Sequence, residues 1–552
     1  MEPIKNSKFS KKLTKTQTKI LKLILLLLPL TAILVSLSLK INSPSRNHHH
    51  PLNLHSFINK ACSQTLHSSL CHSTLSTNNN FTSFINILEF AINRTADHVK
   101  ITRTGIQAHF TNQDLNTQEK NALQDCMEML DQTLYELEQA IDQLGSFSFN
   151  PRRSYGNIKT LLSAAMTNEN TCINGFSDLE DLDLEYTRKG HREKIENLLT
   201  PISHMISNSL ALIKHAENRA VKKPKMKMAM TSADEFSSYL SINRRRKKSM
   251  VRNLRPDLIV AGDGSGNYTS IGEAIAVAPN MSVGTFMIKI MAGVYRENVL
   301  VPREKVNIML VGEGMNSTVI TGSRSFADGF STFESATLTP PEKHQAVALR
   351  VTSNAAFYRC EIISHQDTLY AHSLRQFYHD CTIQGTIDFI FGNAAAVFQN
   401  CTILVRKPIP GQRNMITAQG REDPNQNTGI SLQNCTIEAA KEFNLTERQN
   451  FSTYLGRPWR NYSRTIVVSS YLGDLINPRG WLEWDAYSSL DTVEYIEYMN
   501  SGPGADTGRR ISWAGYRKNC TEDIVRQFTV EEFLHGADDW LESTVLPLFG
   551  GT

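Results

Sequence analysis

Gln345, Gln366, Asp367 and Asp388 recur in the C-terminal half of the chain at steps of 21 or 22 residues. If each step is one coil of a repeating structure, these side chains stack on one face. The two carboxylates then lie about 5 Å apart, the spacing of stacked strands. Two carboxylates that close do not both ionise easily: one keeps a proton while the other stays charged. An acid beside an anionic nucleophile can cleave an ester. The same gap also suits a retaining glycosidase, so geometry alone leaves the reaction open. Taken singly, each Asp could simply cap a turn. Asp388 argues otherwise, because it lies in Gly385-Thr-Ile-Asp-Phe-Ile-Phe-Gly392, among apolar neighbours where a carboxylate needs a partner.

The element that must position these residues is a repeat. Ala356-Phe-Tyr-Arg-Cys360-Glu-Ile, Phe377-Tyr-His-Asp-Cys381-Thr-Ile, Val397-Phe-Gln-Asn-Cys401-Thr-Ile and Ser431-Leu-Gln-Asn-Cys435-Thr-Ile are spaced 21, 20 and 34 residues apart at their cysteines. Short β-branched and aromatic strands between Asn, Gly and Asp turns, with a period near 20, predict a parallel β-helix. The 34-residue step is then one coil carrying a loop. The four cysteines read as a stacked interior column. CxxC spacing is absent, so no metal ligand set is expected. A Cys401–Cys435 bridge is a candidate that register alone does not prove.

The chain has 552 residues, enough for two or more domains. Its net charge of +4 sums unlike parts. Residues 1–50 carry nine basic residues against one acidic, residues 51–250 carry 23 against 21, and residues 251–552 carry 26 against 32. The basicity therefore belongs to a leader and a linker, and a nucleic-acid surface is excluded. Residues 1–22 read as a basic cytosolic tail before an apolar run, 23–39. That run is a signal anchor, with a cleaved signal peptide as the alternative; either places the rest in the secretory lumen. Sequons at Asn80, Asn93, Asn267, Asn316, Asn444 and Asn450 agree with that compartment. Residues 40–55, with the polar Asn47-His-His-His-Pro-Leu52, read as a linker.

Residues 56–216 read as helices. Leu123, Cys126, Leu130, Leu134, Leu137, Ile141 and Leu144 form one apolar stripe. Cys62 and Cys71 are close enough in sequence for a local staple, and Cys126 and Cys172 would tie two later helices. In residues 217–250 the pattern collapses. Arg244, Arg245, Arg246, Lys247 and Lys248 stand in a polar linker, where a basic-site protease would cut.

The segments Ala61-Cys-Ser-Gln-Thr-Leu-His-Ser-Ser-Leu-Cys71, Ala122-Leu-Gln-Asp-Cys126 and Leu162-Ser-Ala-Ala-Met-Thr-Asn-Glu-Asn-Thr-Cys172 resemble the pectin methylesterase/invertase inhibitor family. The resemblance implies a four-helix bundle with 62–71 and 126–172 disulfides. Over residues 251–552, Gly293-Val-Tyr-Arg-Glu297, Gln345-Ala-Val-Ala-Leu-Arg350, Gln366-Asp-Thr-Leu-Tyr370, the Gly385–Gly392 block, Leu455-Gly-Arg-Pro-Trp459 and Gly480-Trp-Leu-Glu-Trp484 resemble plant pectin methylesterases. Together the halves look like a type I pro-pectin methylesterase. The resemblance implies a right-handed parallel β-helix acting without metal or cofactor on methylated homogalacturonan. Asp388 matches the nucleophile and Asp367 the proton donor and base. Gln345 and Gln366 match the amides that stabilise the tetrahedral oxyanion. Arg457 matches the residue orienting Asp388, and Trp459 the aromatic wall under a sugar ring.

Two departures stand out. Between Phe333-Glu-Ser-Ala-Thr337 and Lys343-His-Gln345 the family carries about 20 more residues, roughly one coil, where this chain has only Leu338-Thr-Pro-Pro-Glu342. Ser364-His365 replaces a Gly and an aromatic residue. The leading expectation is a pectin-demethylating esterase made as a precursor in the Golgi membrane, autoinhibited by its own bundle, then released to the cell wall. The alternatives are a catalytically impaired wall-binding β-helix, and a bundle that inhibits other pectin methylesterases.

Overall fold

The computed structural model describes residues 54–78, 81–111, 113–145, 151–177, 187–220, 255–325, 330–333, 335, 345–486, 489–534 and 541. The basic tail, the apolar run 23–39, most of the 40–55 linker, Asn80, the Arg244–Lys248 cluster and the shortened 338–344 stretch lie outside them. Among the described residues no helix is long and apolar enough to cross a membrane.

The N-terminal part is helical. Two short helices, α1 (Leu54–Cys62) and α2 (Ser68–Leu75), precede four long ones: α3 (Phe84–Phe110), α4 (Thr117–Gly145), α5 (Pro151–Ser177) and α6 (Thr187–Ala220). Ser83 caps α3 by accepting the Asn86 N–H. The disulfides Cys62–Cys71 and Cys126–Cys172 are formed, with Cα atoms 5.6 and 4.2 Å apart; the second joins α4 to α5. The buried stripe of α4 runs through Ala122, Cys126, Met129, Leu130, Leu137 and Ala140, while Leu123, Leu134 and Ile141 are only half-buried. The rotation follows from Asp125, Thr133 and Glu136, which are also buried on α4. Such polar groups are tolerated inside only with partners, and α4 finds one in the second half of the chain, where Ser331 Oγ donates to Asp125 Oδ2 at 2.6 Å.

That half is a parallel solenoid. Its first turns hold β1 (Leu258–Val260), α7 (Ile271–Val277), β2 (Phe286–Ile290), β3 (Gly293–Arg296), β4 (Ile308–Val311) and β5 (Thr318–Thr321). Full three-strand coils follow: β6 (Leu349–Val351), β7 (Ala355–Tyr358) and β8 (Glu361–Ile363); then β9 (Leu369–Ala371), β10 (Arg375–His379) and β11 (Thr382–Gly385). Next come β12 (Ile390–Gly392), β13 (Ala395–Gln399) and β14 (Thr402–Val405); then β15 (Asn414–Gln419), β16 (Gly429–Gln433) and β17 (Thr436–Ala439). The last coils contain β18 (Thr453–Pro458), β19 (Arg464–Val468), β20 (Tyr471–Leu472), β21 (Glu494–Tyr498) and β22 (Tyr516–Arg517). Three parallel sheets run along the axis, in the orders β18-β15-β12-β9-β6, β22-β21-β19-β16-β13-β10-β7 and β20-β17-β14-β11-β8.

One left-handed residue per coil makes the corner between the second and third sheets: Arg359, Asp380, Asn400, Asn434 and Ser469, with φ from +49° to +56°. Asp and Asn tolerate that conformation better than other side chains, which is why Asp or Asn precedes cysteine in three of the four repeats. Inside, Tyr378 stacks between Phe357 and Phe398 at 4.9 and 4.5 Å. The 34-residue step is a coil with loops, since Phe398 still pairs with Leu432 and Thr402 with Thr436.

The cysteine column corrects one expectation: Cys401 and Cys435 are free thiols, as are Cys360 and Cys381. In-register parallel strands point their Cβ bonds the same way, so neighbouring sulfurs stack side by side instead of closing a bridge. The Cys401 thiol donates to the Gln399 carbonyl and the Cys435 thiol to the Gln433 carbonyl, at 3.5 and 3.4 Å.

Among the described residues none of β1–β5 pairs with a later strand; β1-β2-β4 and β3-β5 are separate small sheets. Val260, Ile271, Ile275, Ile288, Ile290 and Tyr295 form their own core, distinct from the main one that runs from Ala348 to Tyr516.

Candidate active site

The left-handed turns that close β8 onto β9 and β11 onto β12 carry Asp367 (φ +63°) and Asp388 (φ +49°). The flanking ladder, Ile390 beside Leu369, puts the two aspartates one rung apart in register. Gln345 and Gln366 form a parallel bridge on the rung before. The 21-residue steps therefore stack as the sequence requires.

The side chains form two hydrogen-bonded groups, one on each aspartate. Gln345 Nε2 donates to Asp367 Oδ2 at 2.6 Å and to Thr332 Oγ1 at 2.9 Å. Arg457, at the end of β18, donates through Nε to Asp388 Oδ1 at 2.9 Å and through Nη2 to Oδ2 at 2.5 Å. That fork is the strong, planar form of an Arg–carboxylate pair. Burial pushes the Asp388 carboxyl above the usual carboxylate range, and the Arg457 fork pulls against it without reversing the direction. Trp459 stands edge-on to Tyr370 and Phe391, at 6.4 and 6.0 Å, and those two rings stack at 4.3 Å. Together they form an aromatic wall beside the carboxylates, suited to a sugar face. Among the described residues no group of His, Cys, Asp and Glu is arranged to hold a metal ion.

Gln345, Asp367 and Asp388 thus lie on successive rungs, Arg457 and Trp459 reach them from the end of β18 with β15 between, and Gln366 joins through its backbone bridge. Thr332 was missed, because nothing in its local sequence marks it; only the fold brings it to Gln345. Trp484 was noted within a motif but given no role. Its ring lies 4.0 Å from the Arg457 guanidinium carbon.

The helical bundle reaches the same region. A polar stripe on α5 faces the solenoid. Asn427 donates to Thr160 Oγ1 at 2.9 Å and Asn393 to Thr167 Oγ1 at 2.9 Å. Thr171 Oγ1 pairs with His372 Nε2 at 2.8 Å, Asn170 with Glu422, and Arg460 donates to Asn174 at 2.6 Å. Ser207 on α6 donates to Asp423 at 2.5 Å. Arg460 also stacks over Trp459, at 5.3 Å, so the bundle is seated against the aromatic wall.

Fold and site together define a carbohydrate-active parallel β-helix preceded by a docked helical bundle. Comparison with known proteins gives that class a family. Residues 257–537 match the pectinesterase family model, and residues 56–212 match that of the plant invertase/pectin methylesterase inhibitor. Pectinesterase 1 of Citrus sinensis is 41% identical over 523 residues, covering 89% of this chain and 88% of its own. Pectinesterase/pectinesterase inhibitor U1 of Solanum lycopersicum is 41% identical over 528 residues, with the same two coverages. Among solved structures, pectin methylesterase from carrot is similar with a TM-score of 0.53 and 48% identity, over 54% of this chain and 99% of that one. The chain belongs to the pectinesterase family, with an inhibitor domain in front of the esterase domain, and its reaction is the hydrolysis of pectin methyl esters.

Proposed function

We propose that the chain removes C6 methyl groups from homogalacturonan by covalent catalysis on Asp388. The ionised Asp388 carboxylate attacks the ester carbonyl, and the tetrahedral oxyanion is met by the Gln345 and Gln366 amides. Gln345 must exchange one of its two hydrogen bonds to do so. Asp367 gives its proton to the departing methanol. It then takes one from water, which attacks the acyl-aspartate and frees galacturonate and Asp388. Arg457 keeps both Asp388 oxygens aimed, and Trp459 supports a sugar ring.

The observation that carries this reading is the stacking, one rung apart, of Asp367 held by Gln345 and Asp388 held by the Arg457 fork. The test is methanol release from methylated pectin. Asp388→Asn should abolish it with melting unchanged. Measurable release by that variant, verified by mass as still Asn, rejects the nucleophile. No release by the unaltered esterase half would favour an impaired wall-binding role instead.

The precursor is held inactive by its own bundle, as the seating of α5 against Arg460 and Trp459 supports. Cutting at Arg244–Lys248 would release it. A variant with all five residues replaced by Ala should be secreted at precursor mass, and an unchanged processed mass would place the cut elsewhere. The apolar run 23–39 anchors the precursor in the Golgi membrane, and the mature enzyme is extracellular. Exposed Asn93, Asn267, Asn316, Asn444 and Asn450 are open to glycosylation.

A further inference from the structure

Arg457 has an edge and two faces. The edge holds both oxygens of Asp388, and the Trp484 ring covers one face at 4.0 Å. A guanidinium stacked on indole is attracted by the ring quadrupole and shielded from water on that side.

Trp484 belongs to no ladder strand. It is carried by the turn from Gly480 to Trp484, and that turn is firmly mounted. Trp481 bridges Gly456, and the Leu482 N–H donates to the Gly456 carbonyl at 3.0 Å. Trp481 is fully buried and its Nε1 donates to Glu497 Oε1 at 3.1 Å. Glu497 is paired with Arg510 through both oxygens, at 2.9 and 3.0 Å, with side chains only 2% and 1% exposed. The Tyr516 hydroxyl donates to the same carboxylate at 3.3 Å. Arg510 also donates to the Pro478 and Gly504 carbonyls. Gly480, at φ +73°, leaves the room this needs, since a Cβ there would lie 2.4 Å from Arg510 Cδ. A buried ion pair is a weak source of stability, and this one does not touch Asp388. Its place beneath the turn suggests another use.

We propose that Trp484 is a positioning residue: mounted on the buried Glu497–Arg510 pair, it fixes the plane of Arg457 so that both N–H groups stay on Asp388. The proposal rests on the reading of Asp388 as nucleophile. The charged and titratable groups facing Asp388 among the described residues are Arg457 from β18, Asp367 from the preceding coil and Tyr495 from β21. Of these only Arg457 is a cation. Loosening it removes the influence that favours the carboxylate.

The test is methanol release against pH for the protein cut at its Arg244–Lys248 linker and freed of its bundle, unaltered and as Trp484→Phe, Trp484→Leu and Trp484→Ala, each checked by thermal melting. Leu and Ala should lose about tenfold in kcat/KM on the acid side and little above neutrality, while Phe, which keeps a ring face, restores most of the loss. Leu decides the matter if Ala fails to fold. A rise in KM with the pH profile unmoved would make Trp484 a sugar contact only and overturn the proposal, as would a Phe variant no better than Leu. Asp388→Asn in the same assay separates the two readings. If it still releases methanol, the nucleophile assignment fails and the proposal with it. If it is inactive while the Trp484 variants keep the original acid limb, the proposal alone fails.

Discussion

Asp388 combines burial, a left-handed backbone and a single cationic partner. Backbone strain of this kind costs on the order of 1–3 kcal/mol per residue and persists only where the surroundings over-determine it; here the ladder on either side does so. Because burial raises its pKa, the nucleophilic anion forms only above the ordinary carboxylate range. Activity should therefore fall on the acid side at a higher pH than a free aspartate would give. Arg457 acts against that shift. Arg457→Ala removes the fork, so the acid limb should move further up, with a loss of roughly 2–3 kcal/mol in transition-state stabilisation at its optimum. A pH profile of kcat/KM checks both; a limb that stays put or moves down contradicts the assigned role.

Among the elements, the ladder and the turns do the positioning. Gly420, just after β15, shows how closely they are fitted: a Cβ there would lie 2.7 Å from Trp459 Cε3. Gly420→Ala should push the indole out of the aromatic wall and raise KM for pectin severalfold, with kcat less affected. Unchanged KM would mean that Trp459 does not support a sugar. How much of this was legible depended on the kind of signal. The 21-residue steps placed Gln345, Asp367 and Asp388 on one face because a solenoid converts sequence period directly into stacking. The Asp/Asn-Cys-Thr-Ile repeat likewise announced the corners. Thr332 was invisible, since it meets Gln345 from outside the period. The α5 stripe of Thr160, Ser163, Thr167, Asn170 and Asn174 was also overlooked. Helical spacing of small polar residues reads as a solvated face unless the opposing surface is known. The Cys401–Cys435 bridge failed for a different reason: adjacency on neighbouring rungs was read without the in-register geometry that stacks the sulfurs side by side.

At the scale of the whole molecule, residues 58–552 form one compact unit, so bundle and solenoid are held together. Buried carboxylates lie at their contact. Burial raises Glu422 to about 7, beside Arg460 and Asn170, and Glu136 to about 8, with Arg303 opposing. Both carboxyls have an ordinary value of 4.5 when free. The docked state therefore binds protons more tightly. Docking is strongest at and below the free value, weakens as pH rises through the window up to about 8, and is flat above it. After cleavage of the linker the two halves should co-elute at about pH 5 and separate near pH 8.5; equal retention at both would contradict this. The separate core of the first turns bears on the same molecule in another way. A solenoid melts as one body because each coil is coupled to its nearest neighbours. Residues 255–321 have small sheets and a core of their own, and they should behave as a separate calorimetric unit. The esterase half should then show two melting transitions, the smaller one from its first turns. Inserting a relative's coil between Thr337 and Lys343 should merge them into one, whereas a single transition in the unaltered chain would show that the coupling survives without it.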